Sequence, residues 1–217
     1  MSILNIAKKS KSASLEILKC SKEDRTNAIL AIAESLRANL QIILKENKKD
    51  LKASSKLSPA LKDRLSLSEK SIEQMAKACE EISKQKEVVG EIIHHHVRSD
   101  GLIVEKQRIP LGVVAMVFES RPNVVVDCSA LAIKSGNAIL LKGGKEAHYS
   151  NKILGELIRS SIKKYIPENV VQVLKSTDRK GILELIQLKD YVNVVIPRGG
   201  EGLVNFVYDK SKVPVIA

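Results

Sequence analysis

Between Leu111 and the C-terminus the sequence alternates five short apolar runs with longer amphipathic stretches, and no other feature restricts the fold as much. The runs are Val113 to Phe118, Ala138 to Lys142, Val170 to Leu174, Val192 to Ile196 and Val213 to Ile216. Each has strand length and is almost continuously apolar, as a strand covered on both faces must be. The stretches between them, about 124–135, 147–165, 178–188 and 202–209, carry helix punctuation. Gly136 closes the first, Pro167 lies just past the second and Thr177 opens the third. Strands joined by helical crossovers run parallel, and the fixed hand of the crossover lays helices on both faces. The expected fold class is α/β, a doubly wound, Rossmann-like parallel sheet of five strands.

The first 90 residues read differently. Apolar residues recur at three- and four-residue spacing, as in Ala28, Ile29, Ile32, Ala33, Leu36, Leu40 and Ile43, which predicts amphipathic helices. Ser21 and Asp24 form a capping box variant that opens one of them, and Lys56-Leu57-Ser58-Pro59 interrupts the series because Pro lacks an amide proton. Three or four helices are expected. Residues 91–109 follow as a hairpin, two extended runs about Asp100-Gly101, where Gly accepts the positive φ of a tight turn. His94-His95-His96 lies in its first arm. Alternation puts at most His94 and His96 on one face, and no Glu or third ligand is placed to complete a metal site, so an exposed edge strand is the preferred reading.

Composition narrows the function. The net charge of +11 divides into +5 over residues 1–100 (19 basic less 14 acidic) and +6 over 101–217 (17 less 11), so it is spread along the chain. A nucleic-acid binder concentrates its charge, and 3% aromatic residues with no Trp disfavour base stacking. Cys20, Cys79 and Cys128 are widely spaced, without zinc or redox-motif spacing, and read as reduced thiols of a cytoplasmic protein. There is no signal-peptide run at the start and no uninterrupted apolar stretch of membrane-spanning length.

The chemistry lies in three loops at strand ends. Glu119-Ser120-Arg121-Pro122-Asn123 follows the first strand, and Pro122 is placed to begin a helix whose first amides face the loop as anion donors. Lys142-Gly143-Gly144-Lys145 follows the second, with two glycines that admit a ligand to the backbone between two ammonium groups. Arg198-Gly199-Gly200 follows the fourth. Taken alone, the second loop is more often a solvated turn than a site, and Arg121 could equally pack over the sheet edge. Together the loops describe one crevice for an anionic ligand at the carboxyl ends of a parallel sheet. Neither Gly-x-Gly-x-x-Gly nor a phosphate loop ending in Gly-Lys-Ser/Thr is present, so neither common nucleotide signature carries the reading.

These strings carry a specific resemblance. Ile109-Pro110-Leu111-Gly112-Val113-Val114, Glu119-Ser120-Arg121-Pro122-Asn123-Val124, Lys134-Ser135-Gly136-Asn137-Ala138 through Lys145-Glu146, Thr177-Asp178-Arg179, Ile196-Pro197-Arg198-Gly199-Gly200 and Val213-Pro214-Val215-Ile216, with Leu61-Lys62-Asp63-Arg64-Leu65 before them, resemble the gamma-glutamyl phosphate reductase (glutamate-5-semialdehyde dehydrogenase) family. That family is similar in turn to the wider aldehyde dehydrogenase superfamily.

The resemblance implies an aldehyde dehydrogenase type of sheet and NADPH-dependent reduction of L-glutamyl 5-phosphate to L-glutamate 5-semialdehyde and phosphate in proline biosynthesis. It makes residues 110–217 the dinucleotide-binding part and residues 91–109 a hairpin of the oligomerisation type, hence a homo-oligomer. It gives Lys142 the adenosine ribose, Lys145 the 2′-phosphate of NADP, Gly144 a place in the cofactor site, Gly199 and Gly200 the neighbourhood of the pyrophosphate, and Arg121, Asn123 and Arg198 the substrate side. The family's nucleophilic Cys belongs to a second domain beyond Ala217. No catalytic residue is expected in this chain, which would act with a separately encoded C-terminal half or bind NADP without turnover.

Overall fold

The computed structural model describes residues 2–54, 57–176 and 178–216. Among them, five helices precede residue 90 rather than three or four: α1 (Ile3–Ile17), α2 (Lys22–Ala38), α3 (Leu40–Ala53), α4 (Pro59–Leu65) and α5 (Glu69–Lys84). The extra one is α4, a helix of 7 residues with Pro59 in its first turn. The Pro that interrupts the series also starts a new helix, because its fixed φ and missing amide suit the first turn. Lys56 lies outside the described residues. The predicted capping box is present: Ser21 Oγ accepts from the Asp24 amide, and Asp24 accepts from the Ser21 amide at 2.9 Å.

The hairpin pairs β1 (Ile92–Val97) with β2 (Ile103–Gln107), turning at Gly101 with φ +83°, and every residue of both strands is exposed. His94 and His96 share a face with rings 6.5 Å apart. On the other face Glu105 lies 2.9 Å from His95 Nδ1, so a carboxylate does stand beside the histidine run, paired to a single ring.

The remaining elements are β3 (Val113–Phe118), α6 (Asn123–Lys134), β4 (Ala138–Lys142), α7 (His148–Ile162), β5 (Val171–Val173), α8 (Arg179–Ile186), β6 (Val194–Arg198) and α9 (Glu201–Lys210). The four strands form a parallel sheet in the order β5-β4-β3-β6. The fifth expected strand contributes one parallel bridge, Val195 to Val215, beside β6. Its backbone gives two bonds, Val195 N to Pro214 O and Ile216 N to Val195 O, and Pro214 has no amide to extend the ladder. Thr177, expected to open α8, lies outside the described residues; the cap is Asp178, which accepts from the Gly181 amide at 2.9 Å.

Helices cover both faces, as the crossovers require. Val113, Ala115 and Val117 of β3 and Leu140 of β4 pack with Ile3 and Ala7 of α1, Ile182 and Leu185 of α8 and Val207 of α9. Met116, Phe118, Ile139 and Leu141 face the opposite way, onto α6 and α7, behind which lie α2, α3 and α5. The N-terminal helices therefore complete both cores. No helix among the described residues is long and apolar enough to cross a membrane.

From β3 the chain moves outward to β4 and β5, then returns to place β6 on the other side of β3. The loops after β3 and β6 part there, towards α6 on one face and α9 on the other. An open α/β sheet binds its ligands at such a switch point, outside the carboxyl ends of the strands.

Candidate functional site

At the end of β4, Lys142 turns its long side chain inward and is only 2% exposed. Its Nζ donates to the Gly143 carbonyl at 3.1 Å. Burial pushes its pKa below the ordinary lysine value, and the Asp178 and Glu146 carboxylates partly offset that push. A Cβ on Gly143 would overlap the Asn151 side chain, and one on Gly144 would overlap the Glu146 carboxylate, so a side chain at either glycine would have to displace its neighbour. Glu146 accepts from Ser120 Oγ at 2.9 Å, which ties the loop after β4 to the loop after β3. Lys145 stands exposed at the mouth.

The N-terminus of α7, which follows this loop, is already occupied by an anion. Asp50 of α3, 1% exposed, accepts from the Tyr149 amide at 2.9 Å, the Ser150 amide at 2.7 Å and Ser150 Oγ at 2.6 Å. Asn47, one turn earlier, donates to Ser150 Oγ and to the Leu65 carbonyl, and accepts from the Leu67 amide. The clip holds α3, α4 and α7 together and excludes a ligand phosphate from the α7 terminus. Its sequence signal was available: Asn47 and Asp50 continue the buried stripe that Ile43 begins.

Between β3 and β6, Glu119 Oε2 accepts from the Gly200 amide at 3.0 Å, and a Cβ on Gly199 would overlap the Glu119 carboxylate. The start of α6 departs from expectation. Pro122 is the residue before the helix, and the Val124 and Val125 amides bond to the Arg121 and Pro122 carbonyls. These amides close the first turn and do not face the loop as anion donors. Asn123 donates to Asp127 at 2.9 Å. Burial pushes the Asp127 carboxyl above the usual range, offset in part by that bond and by Arg198.

Four of the five expected cofactor residues, Lys142, Gly144, Lys145 and Gly200, line one cleft of about 660 Å³ across the ends of β3, β4 and β6. Its walls are apolar at Phe118, Ile182 and Leu203 and polar at Ser120, Glu146, Asp178 and Arg179. Gly199, the fifth, lines an adjoining pocket with Arg121 and Arg198. Asn123 is among the lining residues of neither. Ile182, Leu203 and Glu146 were missed as site residues: helical periodicity marks the first two only as core, and Glu146 acquires its place through a contact 26 residues away. The cysteines stand apart. Burial pushes Cys79 up to about 12 and Cys128 to about 11 and also raises Cys20, and none of the three lines the cleft.

The cleft can take an extended, partly apolar ligand: Lys142, Lys145 and Arg179 stand in its lining with the Glu119, Glu146 and Asp178 carboxylates, beside glycine backbone and apolar walls. A dinucleotide is extended and partly apolar in the same way, and of the glycines in the loops after β4 and β6 Gly200 is the one that stands open, with no atom near its Cβ position.

Residues 2–212 match the model of the aldehyde dehydrogenase family. The gamma-glutamyl phosphate reductases of Desulfatibacillum aliphaticivorans and Carboxydothermus hydrogenoformans are 44% and 45% identical to this chain over 217 residues, 99% of its length. The chain spans about half the length of these curated relatives, 52% in each case. The crystal structure of gamma-glutamyl phosphate reductase from Thermotoga maritima superimposes with a TM-score of 0.96 at 42% identity, covering 99% of this chain and 53% of that one. The enzyme of the same name from Saccharomyces cerevisiae gives 0.92 at 30% identity, covering 98% and 55%.

Proposed function

The chain belongs to the aldehyde dehydrogenase family, and on that premise we propose that it is the cofactor-binding half of a gamma-glutamyl phosphate reductase. With a second half that carries the nucleophilic thiol, it would reduce L-glutamyl 5-phosphate with NADPH to L-glutamate 5-semialdehyde and phosphate, in proline biosynthesis and in the cytoplasm. The observation that carries this reading is the single cleft at the switch point, into which the Lys142-to-Lys145 loop and Gly200 converge.

NADP is the proposed ligand of that cleft. Lys142 holds the adenosine ribose, and Lys145 meets the 2′-phosphate, where a carboxylate would repel it. Phe118, Ile182 and Leu203 supply apolar surface for a base. Gly144 and Gly200 let the pyrophosphate approach the backbone from the cleft side, where Glu146 and Glu119 must yield, and Gly199 supports that approach from the adjoining pocket. When bound, the reduced nicotinamide supplies the hydride. Arg121 and Arg198 hold the anionic substrate beside it, and Asn123 contributes from behind through Asp127. The hairpin 91–109 is the oligomerisation element, and 110–217 the dinucleotide-binding part.

The high thiol pKa values of Cys79 and Cys128 support leaving nucleophilic catalysis to the second half, because a thiol protonated at neutral pH is a poor nucleophile. The purified chain should bind NADPH, followed by nicotinamide fluorescence, and should not oxidise L-glutamate 5-semialdehyde with NADP and phosphate. Turnover would overturn the thiol assignment. Absence of NADPH binding would overturn the cofactor assignment.

A further inference from the structure

Helix α4 brings Leu61 and Arg64 across from the N-terminal segment to the ends of β3 and β6. There Arg64 joins Arg121 and Arg198 around a pocket of about 300 Å³ whose remaining polar lining includes Glu119 and the Gly199-Gly200 backbone. Among the described residues, none of these three guanidinium groups is in an ion pair. The one carboxylate of the lining, Glu119, is bonded to the Gly200 amide. The pocket lining therefore carries three positive charges against one negative.

Like charges gathered in one concavity repel, and surface arginines ordinarily spread out or pair. A planar guanidinium presents forked donors that match the oxygens of phosphate or carboxylate. Three of them from three separate elements, a short helix and two strand ends, surround a ligand with several acceptor oxygens better than a carboxylate with two. The volume admits a phosphate with a few carbons attached and is too small for a dinucleotide. The pocket also adjoins the larger cleft, sharing Leu61, Glu119, Ser120 and Gly200 with it.

We propose that Arg64, Arg121 and Arg198 form a phosphate-binding pocket distinct from the dinucleotide cleft, and that Arg64, supplied by the N-terminal helical segment, is its third ligand. The identity of the natural phosphate ester, an acyl phosphate, rests on the function proposed above; the pocket's affinity for phosphate does not. Arg64 binds and orients the phosphoryl group and takes no part in bond making.

The test uses the 217-residue chain and inorganic phosphate as the probe, with binding followed by NMR shifts at constant ionic strength. Saturable phosphate binding is expected, persisting when the chain is saturated with NADPH, with L-glutamate as a weak competitor. Arg64→Gln should weaken phosphate about tenfold, the loss of one charge-assisted contact, and Arg64→Lys should fall between the two. Lys62→Gln, which removes the same charge from the same helix away from the pocket, should change it less than twofold. NADPH affinity should be the same in all four proteins. Phosphate binding unaffected by Arg64→Gln, displaced by NADPH, or matched by L-glutamate would overturn the proposal. If phosphate fails to bind while NADPH binds, this pocket falls and the cofactor reading stands; the reverse result separates them the other way.

Discussion

Replacing Lys142 with Met should make the chain more stable while removing its cofactor affinity. The side chain is 2% exposed, and among the described residues its ammonium has one hydrogen-bond acceptor, the Gly143 carbonyl at 3.1 Å. An ammonium carries three donors, and the other two N–H groups have no protein acceptor among the described residues nearer than the Asp178 and Glu146 carboxylates, at the wall of the cleft. Each unmade bond of a buried group costs about 1–3 kcal/mol, and the attraction of two carboxylates returns part of it. Met fills nearly the same volume without charge and leaves no large cavity. The net gain should be about 1–3 kcal/mol at pH 7, a large step against a typical stability of about 5–15 kcal/mol.

The gain should also depend on pH. Burial holds the folded-state pKa of Lys142 below its ordinary value of 10.5. Between those two values the unfolded chain binds more protons, so stability rises with pH across that window. The penalty of the buried ammonium is fully present below the folded-state pKa and is gone above the unfolded one. The advantage of Lys142→Met over wild type in urea unfolding should therefore be largest at neutral pH and shrink towards pH 10.5, with the m-value unchanged. A variant no more stable than wild type at pH 7 would refute the reasoning, because it would mean the ammonium is as well solvated in the cleft as in water.

Two further substitutions separate cofactor choice from scaffolding. Lys145→Glu should weaken NADP at least about tenfold while leaving NAD nearly unchanged, since it sets a carboxylate opposite the 2′-phosphate; equal loss for both dinucleotides in parallel titrations would remove Lys145 from that role. Asp50→Asn should cost about 2–3 kcal/mol in urea unfolding, because the amide keeps one acceptor oxygen and turns an NH2 group towards donors at the buried start of α7. A loss under about 0.5 kcal/mol would show that the clip is dispensable.

What the sequence determined by itself is what depends on neighbours along the chain. Continuous apolar runs marked β3, β4, β5 and β6, a Ser and an Asp three residues apart marked the start of α2, and Asp100-Gly101 marked the hairpin turn, since each follows from backbone sterics and local hydrogen bonding. The lysine and glycine loop after β4 and the arginine and glycine loop after β6 were legible for the same reason. The tertiary structure decided which of these meet, and which polar groups are taken up within the fold. Among the described residues Pro214 left the last apolar run one bridge, the Val124 and Val125 amides closed the first turn of α6, and Asp50 filled the terminus of α7. Arg64 lies 57 residues before Arg121 in the chain and shares its pocket only because α4 folds back over the strand ends. A lysine in the sequence has no stated solvation, and only the packing of β4 beneath its loop made Lys142 a buried cation rather than a surface one.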